Sequence, residues 1–94
     1  MEKIDRVALL FEALGNDARL RILSLLEDSR RPLHIKALAR ELKLDYAAVY
    51  RHVKMLHSAG LIEVYEVGRS RVLALAKGDL LRDLLEKADR LVSS

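Results

Sequence analysis

The sequence contains no cysteine among its 94 residues. This absence excludes disulfide bonds, thiolate metal sites and a cysteine nucleophile together. Long apolar runs are missing too, since none approaches the roughly 18 residues that a membrane-spanning helix needs. The first residues, MEKIDRV, lack the features of a secretory signal peptide. We therefore expect a cytoplasmic protein without a membrane segment.

The composition favours one small globular domain covering residues 1–94, because about half of the residues are hydrophobic and a third are charged. The net charge of +3 is unevenly distributed. Residues 30–72 carry 9 basic and 4 acidic side chains, whereas the segments before and after have no basic excess. A localised basic excess is typical of proteins that bind nucleic acid through its phosphates.

The first two segments have helical periodicity. Apolar residues recur at helical spacing over residues 3–14, Gly15 ends that helix, and Asn16 can cap a second helix over Asp17–Leu26. This second helix is expected to bury Ile22, Leu23, Leu25 and Leu26. Arg19 and Arg21 are expected to be exposed. The following EDSRRP, which contains the only proline, is predicted to be a loop.

A third, short helix is predicted over Ile35–Leu42, and only three residues separate it from a fourth helix over residues 46–58. So short a turn forces two helices to cross steeply, which gives a helix-turn-helix. Arg40 and Lys43 then lie near the start of the fourth helix, where phosphates of bound DNA would be, although each is equally consistent with an ordinary solvated surface.

The fourth helix has well-marked ends, with Asp45 as its N-cap and Gly60 as the left-handed residue after its last turn. Its apolar stripe is predicted to be buried and comprises Val49, Val53 and Leu56. The opposite face is aromatic and cationic, and comprises Tyr46, Ala47, Tyr50, Arg51 and Lys54. Such a face suits a recognition helix in the DNA major groove, but an ordinary amphipathic helix is the alternative.

The period changes after Gly60. IEVYEV and SRVLAL, residues 62–67 and 70–75, are β-prone and flank a turn near Gly68, which predicts a two-stranded hairpin. Arg69 and Arg71 lie at or beside its tip, which we expect to be free to reach a DNA backbone or minor groove. One face of the hairpin must rest on the helices, because a lone hairpin is marginal in water.

The final helix, predicted over residues 79–92, is more apolar than a helix lying on a small domain needs to be, and so is helix 3–14. This excess predicts that the two terminal helices form a homodimer interface. The alternative is that both complete a small core. The predicted interface residues are Ile4, Val7, Phe11, Leu81, Leu84, Leu85, Ala88 and Leu91.

The predicted order α-α-α-α-β-β-α, mainly helical with a small β-hairpin, is that of a winged helix-turn-helix. LFEALGNDARLRILSLL resembles the opening of ArsR-like transcriptional regulators, and ALARELKLDYAAVYRHVKMLHSAGLIE resembles their helix-turn-helix. VGRSRVLAL is similar to their wing. The resemblance spans roughly residues 8–76, and its helix-turn-helix part is the most specific.

The resemblance implies a homodimeric, sequence-specific regulator that places helix 46–58 in the major groove and wing 62–75 along the backbone or minor groove. Carried onto this chain, the candidate base-reading residues are Tyr46, Ala47, Tyr50, Arg51 and Lys54. Arg51 could contact guanine through two hydrogen bonds. The candidate backbone contacts are Lys36, Arg40, Lys43, His52, Arg69, Ser70 and Arg71.

No metal or other cofactor is predicted. His52 and His57 lie about 140° apart around one helix and cannot converge on an ion. His52 is expected to be half-buried or near a phosphate, and His57 to be exposed. The family's metal sites cannot be transferred, because RRPLHIKALAREL lacks their cysteines and the final helix lacks their histidines.

An enzyme is not expected, since no glycine-rich phosphate loop or paired acid-base site is present and Ser70 has no neighbouring histidine. Two alternatives to a specific regulator stay open. One is a winged helix that docks on an acidic protein, and the other is an architectural protein that binds DNA without sequence preference. Whether a small-molecule effector exists is unknown.

Overall fold

Five helices and three short strands make up the chain in the computed structural model, which describes residues 2–93. Met1 and Ser94, the two ends of the predicted domain, lie outside the described residues. In chain order the elements are α1 (Lys3–Leu14), α2 (Asp17–Ser29), β1 (Leu33–His34), α3 (Ile35–Leu42), α4 (Tyr46–Ser58), β2 (Ile62–Val67), β3 (Ser70–Leu75) and α5 (Gly78–Ser93).

The predicted order of helices and wing strands is confirmed, but the sheet has a third strand. The central strand β3 pairs antiparallel with β2 along their whole length, from Val67 opposite Ser70 to Ile62 opposite Leu75. On its other side β3 pairs with β1, with Leu33 opposite Leu73. The predicted hairpin is confirmed as β2 and β3. No element was predicted for Leu33–His34, because two residues are too few to show an alternating pattern.

The second helix ends three residues later than predicted, at Ser29 rather than Leu26. The Ser29 hydroxyl donates to the Leu26 carbonyl at 3.1 Å, which satisfies one of the acceptors left open at a helix end. Arg30 then closes the helix with a left-handed backbone, φ 55°. The run Glu27–Ser29, predicted to be a loop, therefore adds a turn to α2.

The core is built around α4, whose predicted buried stripe is confirmed. Val49, Val53 and Leu56 are all no more than 1% exposed. They pack with Ile22 and Leu23 of α2 and with apolar residues of α3, the sheet and α5. Within residues 2–93 the buried side chains are all apolar, so hydrophobic burial holds α4 in place without buried charge.

Both predicted ends of α4 are confirmed. The Asp45 carboxylate accepts from the Ala48 backbone N–H at 2.7 Å. At the other end Gly60 has φ 77°, and the Leu61 N–H donates to the Leu56 carbonyl at 3.0 Å. These bonds satisfy backbone groups that a helix of this length leaves open at its ends.

Asp45→Ala should lower the free energy of unfolding by about 1 kcal/mol, because it removes the side-chain cap of α4. Urea denaturation monitored by circular dichroism measures this change. Asp45→Asn is the control, since asparagine caps a helix about as well as aspartate does. An alanine variant as stable as the unmodified protein would contradict the capping role.

Candidate nucleic-acid interface

The outward face of α4 divides into an exposed part and a partly covered part. Ala47, Arg51 and Lys54 are exposed, as predicted from their spacing. Tyr46 and Tyr50 lie on the same side of the helix but are only half-exposed. The helix contains no acidic residue. The freely accessible charge of this helix is therefore cationic. Part of each tyrosine is covered by another element of the chain.

The element that covers both tyrosines is the wing. Arg71 of β3 donates from Nη1 to the Tyr46 hydroxyl at 2.9 Å, and its guanidinium carbon lies 4.6 Å from the centre of the Tyr50 ring. The Lys54 ammonium lies 5.6 Å from the same ring centre. The rings of Tyr46 and Tyr50 stack at a centroid distance of 6.4 Å. We call Tyr46, Tyr50, Lys54 and Arg71 the wing–helix cluster.

The basic side chains of the wing differ in accessibility. The expectation that the whole tip is free was wrong for Arg71, which is half-buried and engaged with α4. Its hydrogen bond to Tyr46 raises the pKa of the guanidinium, a group that is always charged in proteins. Arg69 is exposed beside Gly68 at the turn, whereas Ser70 is half-buried. Arg69 is thus the accessible cation of the tip.

The helix-turn-helix supplies further exposed cations at the N-terminal side of α4. Lys36 and Arg40 of α3 are exposed, and so is Lys43 in the turn. Lys43 has a left-handed backbone, φ 57°, which ends α3 and starts the turn toward Asp45. The exposed candidate backbone contacts therefore lie on α3, in the turn and on the wing, which precede and follow α4 in the chain.

Arg19 links three helices, although its side chain was predicted to be exposed. It is half-buried, and it donates to the carbonyls of Ala13 at 2.6 Å and Glu12 at 3.1 Å at the end of α1. Its Nη1 also donates to Nδ1 of His52 on α4 at 3.1 Å. The prediction failed because these acceptors lie on other elements, and periodicity within α2 does not report them.

The contact with Arg19 defines the protonation state of His52. This side chain is half-buried, as predicted. Arginine can only donate, so Nδ1 accepts and the imidazole is neutral with its proton on Nε2. Burial lowers the pKa of His52, and the charges of Arg19 and Arg51 lower it further. His57 is exposed, as predicted.

The predicted dimer-interface residues fall into two groups. Leu81 is buried in the core of the chain, and Leu84 and Leu85 are half-buried against it. The remainder lie exposed on α1 and on the second half of α5. They are Ile4, Val7, Phe11, Ala88 and Leu91. An intermolecular contact through Leu81 would need it to leave the core, so the exposed group is the better candidate.

Within residues 2–93, no three histidine, aspartate or glutamate side chains are grouped as a metal site would require. No helix in that range is long and apolar enough to cross a membrane.

Comparison with known proteins places the chain in a family. Residues 14–65 match the helix-turn-helix domain family. The transcriptional repressor SmtB homolog of Synechocystis is 31% identical over 94 residues, which are all of this chain and 70% of that protein. An uncharacterised HTH-type transcriptional regulator of Methanocaldococcus jannaschii is 39% identical over 80 residues, 82% of this chain and 81% of that protein.

Solved structures agree with this result. A homodimeric winged helix-turn-helix DNA-binding domain of Mycobacterium bovis, a possible ArsR-family regulator, superposes with a TM-score of 0.82 at 26% identity, covering 95% of this chain and 83% of that one. HlyU of Vibrio cholerae superposes with a TM-score of 0.76 at 26% identity, covering 94% and 97% of the two chains. The chain belongs to the ArsR-like winged helix-turn-helix transcriptional regulators.

Acidification should destabilise the fold through His52. Because the folded pKa lies below the usual value of 6.5, the unfolded chain binds the proton first as the pH falls. The stability contributed by neutral His52 is therefore complete above about pH 6.5 and is lost as the pH falls through the folded pKa. Urea denaturation at pH 7.5 and pH 5.5 measures the loss.

His52→Gln should reduce the difference in stability between these two pH values, since glutamine does not titrate. His57→Gln is the control, because it removes an exposed histidine from the same helix. The assignment is wrong if the two variants show the same pH dependence.

Proposed function

We propose that the chain is a sequence-specific, double-stranded-DNA-binding transcription regulator that acts as a homodimer. The observation that carries the proposal is the exposed cationic face of α4, which has Arg51 and Lys54 on a helix fixed by its opposite side. A helix held by one face and offering donors on the other fits the major groove, where base edges are distinguishable. Membership of a family of transcriptional regulators supports this reading.

In this proposal Ala47, Arg51 and Lys54 approach base edges. Arg51 is the best candidate for specificity, because a guanidinium can donate two hydrogen bonds to O6 and N7 of guanine. Ala47 offers a small apolar surface to a thymine methyl group. Direct base contacts by Tyr46 and Tyr50 are weaker candidates, since the wing already covers part of both rings.

The exposed cations around α4 are proposed to hold the phosphates. Lys36, Arg40 and Lys43 approach from the helix-turn-helix, and Arg69 approaches from the wing tip. Such contacts fix register and orientation, and they make the affinity fall with salt. His52 is a poorer phosphate contact than predicted, because it is neutral and engaged with Arg19.

The homodimer is proposed to form through the exposed apolar surface of α1 and α5. Ile4 is 77% exposed, Phe11 is 55% exposed and Leu91 is 82% exposed. From Glu86 onward every described residue of α5 is exposed, so this half of the helix buries no side chain in the core of its own chain. Half a helix is marginal without packing, and a second copy would supply it. The homodimeric relative in Mycobacterium bovis supports the same assembly.

We propose a cytoplasmic regulator without catalytic activity and without a bound metal or other cofactor. The named relatives are regulators of transcription rather than enzymes.

Selection from random duplex oligonucleotides with the purified chain tests the function as a whole. A homodimer that reads sequence should enrich a palindrome whose half-sites lie about 34 Å apart. Enrichment of no motif despite binding would favour an architectural role. Failure to bind any duplex at low salt would overturn DNA binding and favour a protein-docking module.

Arg51→Ala should weaken binding to the enriched duplex by about 1–3 kcal/mol and relax the preference at one base pair. Arg69→Ala should weaken enriched and random duplexes alike and reduce the slope of log affinity against log salt by about one. Fluorescence anisotropy at several salt concentrations measures both effects. Equal losses on the two duplexes for Arg51→Ala would argue against base contact.

Ile4→Glu should weaken dimerisation on the order of 100-fold, since it would bury a charge on each side of a two-fold interface. Sedimentation equilibrium measures the change in mass. Val67→Glu is the matched control, because Val67 is also an exposed apolar residue, at 57%, but lies on the wing. A wild-type chain that is monomeric at all concentrations would contradict the assembly.

A further inference from the structure

We infer that the wing–helix cluster is a positioning device, in which Arg71 and Tyr46 hold the wing against α4 and so fix Arg69 relative to Arg51. The inference rests on the proposed function for its effect on DNA recognition. It assigns Arg71 and Tyr46 to a contact within the protein rather than to contacts with phosphates or bases, and it makes both of them determinants of sequence preference.

Two side chains of α4 engage Arg71, and the Glu66 carboxylate of β2 lies 3.9 Å from its Nε. Its Nη1 donates to the Tyr46 hydroxyl at 2.9 Å, and the guanidinium lies over the Tyr50 ring at 4.6 Å. A planar cation over an aromatic ring is attracted by the negative face of the ring. The side chain is thus directed toward α4 rather than toward solvent, and it bridges elements 25 residues apart in sequence.

The outer half of the wing needs such a contact. Ile62 and Leu73, at its inner end, are buried in the core. Farther out, Tyr65, Glu66 and Val67 are exposed. Within residues 2–93, the hydrogen bond from Arg71 to Tyr46 is the side-chain bond that joins the wing to α4. A two-stranded ribbon without tertiary support is only marginally ordered, so loss of this bond should loosen the tip.

The position of the tip matters because two kinds of DNA contact depend on it. Arg69 lies at the turn and Arg51 lies on α4, so the wing–helix cluster lies between a candidate phosphate contact and the candidate base contact. If the separation of Arg69 and Arg51 is fixed before binding, phosphate contacts favour only the position on the DNA at which Arg51 meets its base. If the wing moves, phosphates can be reached in several registers and discrimination falls.

Lys54 extends the same arrangement toward the DNA. Its ammonium lies 5.6 Å from the Tyr50 ring centre, on a side chain that is otherwise exposed. The ring is therefore shared by a cation of the wing and a cation of α4. Since the ring rather than the hydroxyl makes these contacts, Tyr50 should tolerate loss of its hydroxyl, whereas Tyr46 should not.

The test compares Tyr46→Phe with a matched control, Tyr65→Phe. The control also removes a tyrosine hydroxyl, but from an exposed residue of β2 whose hydroxyl donates to Glu63. The first readout is backbone ¹⁵N relaxation of residues 62–75 in the free protein. Tyr46→Phe should increase the motion of residues 66–71, and Tyr65→Phe should not. Equal wing dynamics in the two variants overturn the inference.

The second readout is the ratio of affinities for the enriched and random duplexes. Tyr46→Phe should lower this ratio about three- to tenfold, the factor that corresponds to one hydrogen bond. Tyr65→Phe should leave it unchanged. A loss for Tyr46→Phe that is equal on both duplexes overturns the inference, because it would indicate a direct phosphate contact.

Arg71→Lys and Arg69→Lys form a second matched pair, since both keep the charge and remove the planar fork. Arg71→Lys should lower the specificity ratio and loosen the wing, while Arg69→Lys should do neither. Similar effects of the two substitutions contradict a special role for Arg71.

Failure of the proposed function can be distinguished from failure of the inference about the wing–helix cluster. If the unmodified chain binds no duplex, the effect on recognition is overturned together with the proposed function, and the relaxation measurements still decide whether Tyr46 and Arg71 hold the wing.

Discussion

Burial of one face of α4 is the constraint on which the rest of the structure depends. Val49, Val53 and Leu56 are almost completely withdrawn from water, and α2, α3, the sheet and α5 all contribute to the cluster around them. A helix anchored by three consecutive turns of its inner face cannot rotate without exposing apolar area. The direction in which Arg51 points is thus a consequence of hydrophobic packing on the other side of the same helix.

Polar contacts then set the orientations of elements that hydrophobic packing leaves undetermined. Packing is largely non-directional, so it does not by itself set how α1 or the wing is oriented on the body. Arg19 supplies direction at one side by joining the end of α1 to His52 of α4. Arg71 supplies it at the other side by joining β3 to Tyr46. Arg19 donates from three nitrogens at once, and Arg71 combines one hydrogen bond with a guanidinium plane over a ring; both arrangements use the planar fork, which lysine lacks.

Much of the fold could be predicted from the sequence because the helices have strong local signals. Asp45, Gly60 and the stripe through Val53 each define part of α4 within a few residues of chain, and all three were confirmed. The two residues of β1 gave no such signal, since their strand exists only through pairing with β3. The end of α2 was missed because Ser29 serves both a helix and a turn.

The candidate site was predictable as a surface but not as a network. Spacing along α4 correctly placed Ala47, Arg51 and Lys54 outward. It could not show that Tyr46 and Tyr50, on the same face, meet a side chain 25 and 21 residues away in the wing. Helical periodicity assigns a residue to a direction, whereas the partner found in that direction depends on tertiary structure. Arg19 illustrates the same limit, because its contact with His52 spans 33 residues.

Arg19 and Arg71 fix α4 relative to two other parts of the chain, α1 and the wing. On one side, Arg19 connects α4 to α1, whose exposed Ile4 and Phe11 belong to the proposed dimer surface. On the other, Arg71 connects α4 to the wing. In a two-fold dimer the spacing of half-sites depends on how α4 is set relative to α1, and the fit within each half-site depends on how the wing is set relative to α4. A change at either arginine would therefore alter recognition without touching a base, and the two changes would differ in kind. Disturbance at Arg19 would act on the spacing between half-sites, whereas disturbance at Arg71 would act within one half-site.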